Sequence, residues 1–194
     1  MINQTQLIVL CGPESTGKSD LSHFLSSKFQ VPEIQEIART YIESKQYEYL
    51  YEDVEAIAKL QIESLENLLK EQPKAIILDT WLIITKVWFE VVYQKEPEWL
   101  DKALRTYPID HYLLCEPDLP WEPDPVRENP NRREELFNRY EALINQFGFT
   151  YTKISGLGDD RRQRAAEIVK NILKDSSVEL SEGFIVPGTN QTTN

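Results

Sequence analysis

Residues Gly12-Pro13-Glu14-Ser15-Thr16-Gly17-Lys18-Ser19 complete the pattern G-x-x-x-x-G-K-[ST]. No other stretch restricts the fold as strongly, because such a loop works only between a strand and a helix. The apolar run Leu7-Ile8-Val9-Leu10-Cys11 before it reads as a buried strand, and Asp20 to Phe29 after it is helical in pattern. In that setting the backbone N–H groups of Gly12, Glu14, Ser15, Thr16 and Gly17 can wrap a triphosphate at the helix N-terminus, where the dipole also favours anions. Lys18 would reach the β- and γ-phosphates, and Ser19 would hold Mg²⁺.

Further along, apolar runs alternate with helical patterns. Strands are expected at Gln6 to Cys11, Pro32 to Gln35, Ala75 to Leu78 (ending in Asp79), His111 to Cys115 and Phe149 to Ile154. Helices are expected at Glu36 to Gln46, Glu52 to Glu71, Trp81 to Tyr93, Glu98 to Arg105, Arg132 to Phe147 and Asp159 to Lys174. Val54, Ile57, Ala58, Ile62, Leu65, Leu68 and Leu69 give the second of these one apolar face. Trp81 to Tyr93 is apolar nearly all round and should be buried. Asn131 is expected to cap the helix that follows it, and Gly148 to end that helix. Alternation of this kind implies an α/β P-loop domain, a three-layer sandwich with a parallel five-stranded sheet and helices on both faces. The domain is expected over residues 1–174, with 175–194 a loosely held tail.

A hydrophobic fraction of 41% over 194 residues suits one domain with a real core. The net charge of −11 argues against a nucleic-acid partner, since a phosphate backbone needs a basic face. No apolar run approaches a membrane span, and the N-terminus shows no basic signal region. Cys11 and Cys115 fall in core strands and read as buried free thiols in a cytoplasmic protein.

Asp79 closes an apolar strand at its C-terminal end, where ligands bind in open α/β sheets. Beside a phosphate loop it can meet Mg²⁺ or take a proton from an attacking hydroxyl; it can also simply cap the next helix. Glu36 and Arg39 share a helix face. They form either an exposed ion pair or a clamp in which Glu36 accepts from sugar hydroxyls and Arg39 binds a phosphate. Glu116 to Asn131 holds five prolines and reads as a long loop. Its Arg127, and Arg132 and Arg133 just beyond, could swing onto the triphosphate and exclude water, so the loop would act as a lid. Gly156 and Arg162 follow the last strand, either as an ordinary turn and helix start or as contacts to the nucleotide base. Trp81, Trp88, Trp99 and Tyr41 are core or lining residues, one of which can stack on a flat ring.

Taken together, the phosphate loop, Glu36-Ile-Ala-Arg39-x-Tyr41, Gln61, Leu78-Asp79-Thr80, Thr85-Lys86-Val87-Trp88, Leu113-Leu114-Cys115, Asp118-Leu-Pro-Trp121 and Asp124-x-x-Arg127 resemble the ribosylnicotinamide kinase domain of NadR-type proteins. The likeness runs from Gln6 to about Leu173. It implies a nucleoside-kinase-like fold that transfers the γ-phosphoryl of ATP, with Mg²⁺, to the ribose 5′-hydroxyl of nicotinamide riboside, giving nicotinamide mononucleotide. By that resemblance Lys18, Asp79, Glu36 and Arg127 are the catalytic candidates. Ser19 and Asp79 would hold the metal, and Glu36, Arg39, Tyr41, Asp79 and Trp88 the nucleoside. Gly12 to Ser19, Arg132, Arg133, Gly156 and Arg162 would hold the nucleotide.

Two departures stand out. The adenylyltransferase and helix-turn-helix domains of multi-domain members are not expected, since the phosphate loop begins at Gly12. Asp20 follows Ser19 where a small hydroxyl residue is common. Other readings are a kinase for a different nucleoside or small molecule, or a slow ATPase that signals through a partner. A GTP switch is not expected without an Asn-Lys-x-Asp motif, nor an AAA-type motor without a lid domain.

Overall fold

The computed structural model describes residues 5–45, 48–124 and 127–178. Its centre is β1 (Gln6–Cys11), flanked by β3 (Ala75–Asp79) and β4 (His111–Cys115), with β2 (Glu33–Ile34) and β5 (Tyr151–Ile154) at the edges. The order is β2-β3-β1-β4-β5 and every pair is parallel, so five strands form one open sheet as the alternation implies.

The strand period of two divides the core into two layers. Leu7, Val9, Cys11, Ile76, Leu78, Tyr112 and Leu114 face one side. There they meet α3 (Tyr51–Leu69), α4 (Leu82–Trp88), α5 (Leu100–Thr106) and α6 (Arg133–Phe147). Ile8, Leu10, Ala75, Ile77, Leu113 and Cys115 face the other side, against α1 (Lys18–Phe29) and α7 (Gly158–Val178). The short α2 (Ile37–Glu43) packs against α3. Register opposes Leu10 to Asp79, so Asp79 sits level with the last turn of strand before the phosphate loop. Cys11 and Cys115 are buried free thiols that fall in opposite layers.

Three expectations about elements need correction. The helix expected over 81–93 changes character: after α4 the chain widens into a π-helical turn, Phe89–Tyr93, that ends at Gln94 with φ 50°. The N-cap position of α6 is Arg132, not Asn131, because Arg132 N–H donates to Asn129 O (3.2 Å) and Asn131 falls within that turn, one residue before the cap. Glu134 and Glu135 in the first turn face the helix dipole instead. Helix α7 runs beyond Lys174 to Val178, and the rest of the expected tail lies outside the described residues.

Candidate active site

The loop after β1 takes its path from two glycines. Gly12 sits at φ 145°, and a Cβ there would stand 2.6 Å from the Cys115 carbonyl oxygen. Only glycine lets the loop leave β1 so close to the end of β4. Gly17 at φ 72° opens α1. The loop is then tied to itself: Thr16 Oγ1 and Lys18 Nζ both donate to Pro13 O, at 2.8 and 2.9 Å.

Asp79 has the strand parity of Ala75 and Ile77, so the pleat turns it to the α1 side, where Lys18 and Ser19 begin. It is 2% exposed, and its Oδ1 has no hydrogen-bond partner among the described residues. Burial pushes its pKa up to about 6; the Lys18 ammonium and a hydrogen bond from Ser19 pull the other way, and Glu36 and Glu33 add to the rise. An orphaned carboxylate oxygen beside a serine hydroxyl offers oxygen donors of the kind a divalent cation accepts. Among the described residues no cluster of three or more His, Cys, Asp or Glu side chains offers a protein-only metal cage. A metal here would take part of its shell from phosphates and water, as Mg²⁺ does.

Lys18 and Ser19 of this group line a cavity of about 790 Å³, whose wall Asp79 itself does not reach. One end is the phosphate loop, from Gly12 and Glu14 to Asp20. The other is an apolar wall from α4 and the π turn, with Ile84, Val87, Trp88, Val91 and Val92. Tyr49 meets Trp88 edge to face at 4.9 Å between centroids. Glu36, Arg39, Arg127 and Arg132 also line the space, as do Gln61, Thr80 and Thr85.

The proline-rich segment lies over the loop and is fastened to it. Glu14 accepts from the backbone N–H groups of Glu128 and Asn129 (3.2 and 3.0 Å) and from Asn129 Nδ2 (3.2 Å). Arg133 donates to Leu119 O and Ser15 O, at 2.9 and 3.1 Å. Arg127 donates to Glu122 O at 2.7 Å. Arg39 pairs with Asp124 of the same segment at 3.0 Å, and lies 3.7 Å from Glu36 and 3.3 Å from Glu43.

Several candidates from the sequence do not reach the cavity wall. Tyr41 turns away, its hydroxyl donating to Asp53 Oδ1 (3.0 Å) at the start of α3. Asp79, Arg133, Gly156 and Arg162 are also outside the wall. Arg162 instead pairs with Asp20 at 2.6 Å across the exposed gap between α1 and α7, which accounts for the unusual carboxylate after Ser19. Its neighbour Arg161, overlooked in the sequence, is 4% exposed. It donates to Thr16 O (2.9 Å), Gly156 O (3.1 Å) and Glu116 O (3.4 Å), and pairs with Asp118 at 2.8 Å. Trp81 is core and Trp99 donates its indole N–H to Glu55, so Trp88 is the tryptophan on the wall.

A single parallel sheet with a phosphate loop after β1, an acidic residue closing β3 and a proline-rich cover is a P-loop kinase fold. Comparison with known proteins agrees. Residues 7–179 match the AAA_28 family, described as "AAA domain", and the chain belongs to that family. No AAA-type motor is expected from the sequence, and membership concerns the domain, not motor activity. The chain is similar to the Trifunctional NAD biosynthesis/regulator protein NadR of Escherichia coli (strain K12), 22% identical over 86% of this chain and 42% of that protein. It therefore spans less than half the length of this curated relative. Among solved structures it resembles a NadR protein in complex with NR (TM-score 0.72, 20% identity, 88% of this chain, 52% of that one). It also resembles a deoxyadenosine kinase from M. mycoides (TM-score 0.59, 14% identity, 88% and 99%). The likeness to NadR-type proteins expected from the motifs is thus found across nearly the whole described fold.

Proposed function

We propose that this chain is a Mg²⁺- and ATP-dependent nucleoside kinase, with nicotinamide riboside as the favoured acceptor and nicotinamide mononucleotide as its product. One observation carries the reading. The orphaned carboxylate of Asp79 lies against Lys18 and Ser19 of a phosphate-binding loop, and the cavity those two residues line also carries apolar side chains suited to a flat ring. The NadR structure bound to NR supports the acceptor, and the nucleoside kinase neighbour supports the reaction class.

In this reading the loop amides and Lys18 hold the triphosphate, and Ser19 and Asp79 hold the metal. When bound, Mg²⁺ neutralises charge on the β- and γ-phosphates. Asp79, with Glu36 the competing candidate, accepts the proton of the acceptor hydroxyl. The acceptor oxygen bonds to the γ-phosphorus as the bond from that phosphorus to the β–γ bridging oxygen breaks, and ADP carries the electron pair away. Arg39 and Arg127 lie near the site to stabilise charge on the transferring group, and Arg132 and Arg133 close over it. Trp88 packs on the acceptor ring. Positioning and charge supply most of the rate, because phosphoryl transfer needs little covalent help.

Coupled ADP release tests this with MgATP and a panel of nucleosides. The expected result is acceptor-dependent turnover, fastest with nicotinamide riboside. Faster turnover of another nucleoside would redirect the acceptor, and no acceptor-dependent turnover with any nucleoside would overturn the kinase reading.

A further inference from the structure

Thr80 adopts φ 75°, in the left-handed region. The other described non-glycine residues with positive φ are Ser15, Gln30, Gln72 and Gln94, all unbranched at Cβ. For a β-branched residue this conformation is a true outlier. Strain of that kind, on the order of 1–3 kcal/mol, persists only where the surroundings over-determine it, and it gathers at functional sites.

The surroundings of Thr80 can be named. Its N–H donates to Leu10 O at 3.1 Å, which anchors the residue to the end of β1. Its hydroxyl oxygen accepts from Gln61 Nε2 at 3.4 Å, and Gln61 Oε1 accepts from Thr85 Oγ1 at 3.1 Å. All three side chains are buried, yet all three line the cavity. The relay joins α3, the turn after β3, and α4. Filling space does not explain it: apolar side chains of the same shape at 61, 80 and 85 together would pack with little net loss. What the amide adds is a fixed partner for a strained residue, and that residue directly follows Asp79.

We propose that Gln61 is a positioning residue: it holds Thr80 in the left-handed conformation and so fixes Asp79 between Lys18 and Ser19. The inference deepens the kinase reading and rests on it for the meaning of Asp79. Relaxation of Thr80 to ordinary extended backbone would rotate the peptide plane between residues 79 and 80, and with it the Asp79 side chain. Displacements of about 1 Å at a reacting centre can lower a rate on the order of a hundredfold.

The test uses Gln61→Leu, which keeps size and removes the hydrogen bonds, with Thr80→Val breaking the same bond from the other side. Turnover is measured alongside the Thr80 backbone angle from NMR scalar couplings. Each variant is expected to lower kcat about 10- to 100-fold, with KM for ATP and acceptor changed less than about threefold. In Gln61→Leu, Thr80 should also leave positive φ. Combining the two changes should cause no further loss of kcat, because both cut the Gln61–Thr80 bond to which the positioning is assigned. Adding Thr80→Gly to Gln61→Leu should return kcat to within about threefold of the parent protein, since glycine takes positive φ without a clamp. Unchanged kcat in the variants that fold, positive φ persisting in Gln61→Leu, additive losses, or no recovery with glycine would each overturn the proposal. If the parent protein phosphorylates no nucleoside, the kinase reading fails instead, and the couplings still decide whether Gln61 holds Thr80.

Discussion

A buried carboxylate with a raised pKa opposes folding in its charged form. Burial pushes the Asp79 carboxyl up to about 6 in the folded protein, against about 3.9 for an unperturbed aspartate. Below the unfolded value both states are protonated and nothing is lost. As pH rises through the folded value the buried anion must be carried, and stability falls. The window is about two pH units, or roughly 3 kcal/mol at most. Asp79→Asn is therefore expected to be more stable than the parent at pH 8, by about 2–3 kcal/mol relative to any difference at pH 4. Urea denaturation at the two pH values measures this. The same substitution should lower kcat about 10²- to 10⁴-fold, and kcat/KM of the parent should rise through an acid limb near pH 6. At Gly12 the expectation is steric: Gly12→Ala drives a Cβ to 2.6 Å from Cys115 O at an unfavourable φ. It should destabilise by more than about 2 kcal/mol and abolish nucleotide binding, as calorimetry with MgADP would show. The phosphate loop and Asp79 were legible because their residue types carry their chemistry. Arg161 was not, because sequence cannot say which of two adjacent arginines, about 100° apart on a helix, turns inward.

At the scale of elements, the π turn after α4 is bound up with one buried cation. Lys86 is the centre of three carboxylates: Glu96, Asp101 at 3.0 Å and Glu90 at 3.7 Å. Its side chain is 6% exposed, while the partners are roughly a third to a half exposed, so water screens part of the attraction. Lys86→Met should destabilise the protein by about 1–2 kcal/mol. The carboxylates left behind repel one another, so the loss should shrink in high salt, which denaturant titration at two ionic strengths would reveal. The helical span 81–93 was readable from its apolar residues, but its π turn was not. An apolar stripe at Ile84, Val87, Trp88, Val91 and Val92 satisfies an α-helical period with or without one widened turn. The same limit applies at α6, where the choice of Arg132 over Asn131 depends on a turn made before the helix begins.

Across the whole molecule, alternation of apolar strand and amphipathic helix was enough to give the parallel sheet and its two helical layers. The fastening of the proline-rich segment was hidden, because its bonds join residues more than a hundred positions apart, Glu14 to Asn129 among them. Glu14→Ala removes three of those bonds. It should raise acceptor-independent ATP hydrolysis relative to transfer by about three- to tenfold, since a looser cover admits water. Phosphate release without acceptor, compared with ADP formation in its presence, measures this partition.

Arg161 gives the molecule a direction in time. It holds the Thr16 carbonyl across 145 residues of chain, and β1 gains its neighbours only with β3 and β4. During synthesis the phosphate loop leaves the ribosome well ahead of its brace, which lies 145 residues further along the chain. Nascent chains halted before residue 161 should therefore bind nucleotide poorly, which would make nucleotide capture a signal that translation has passed α7.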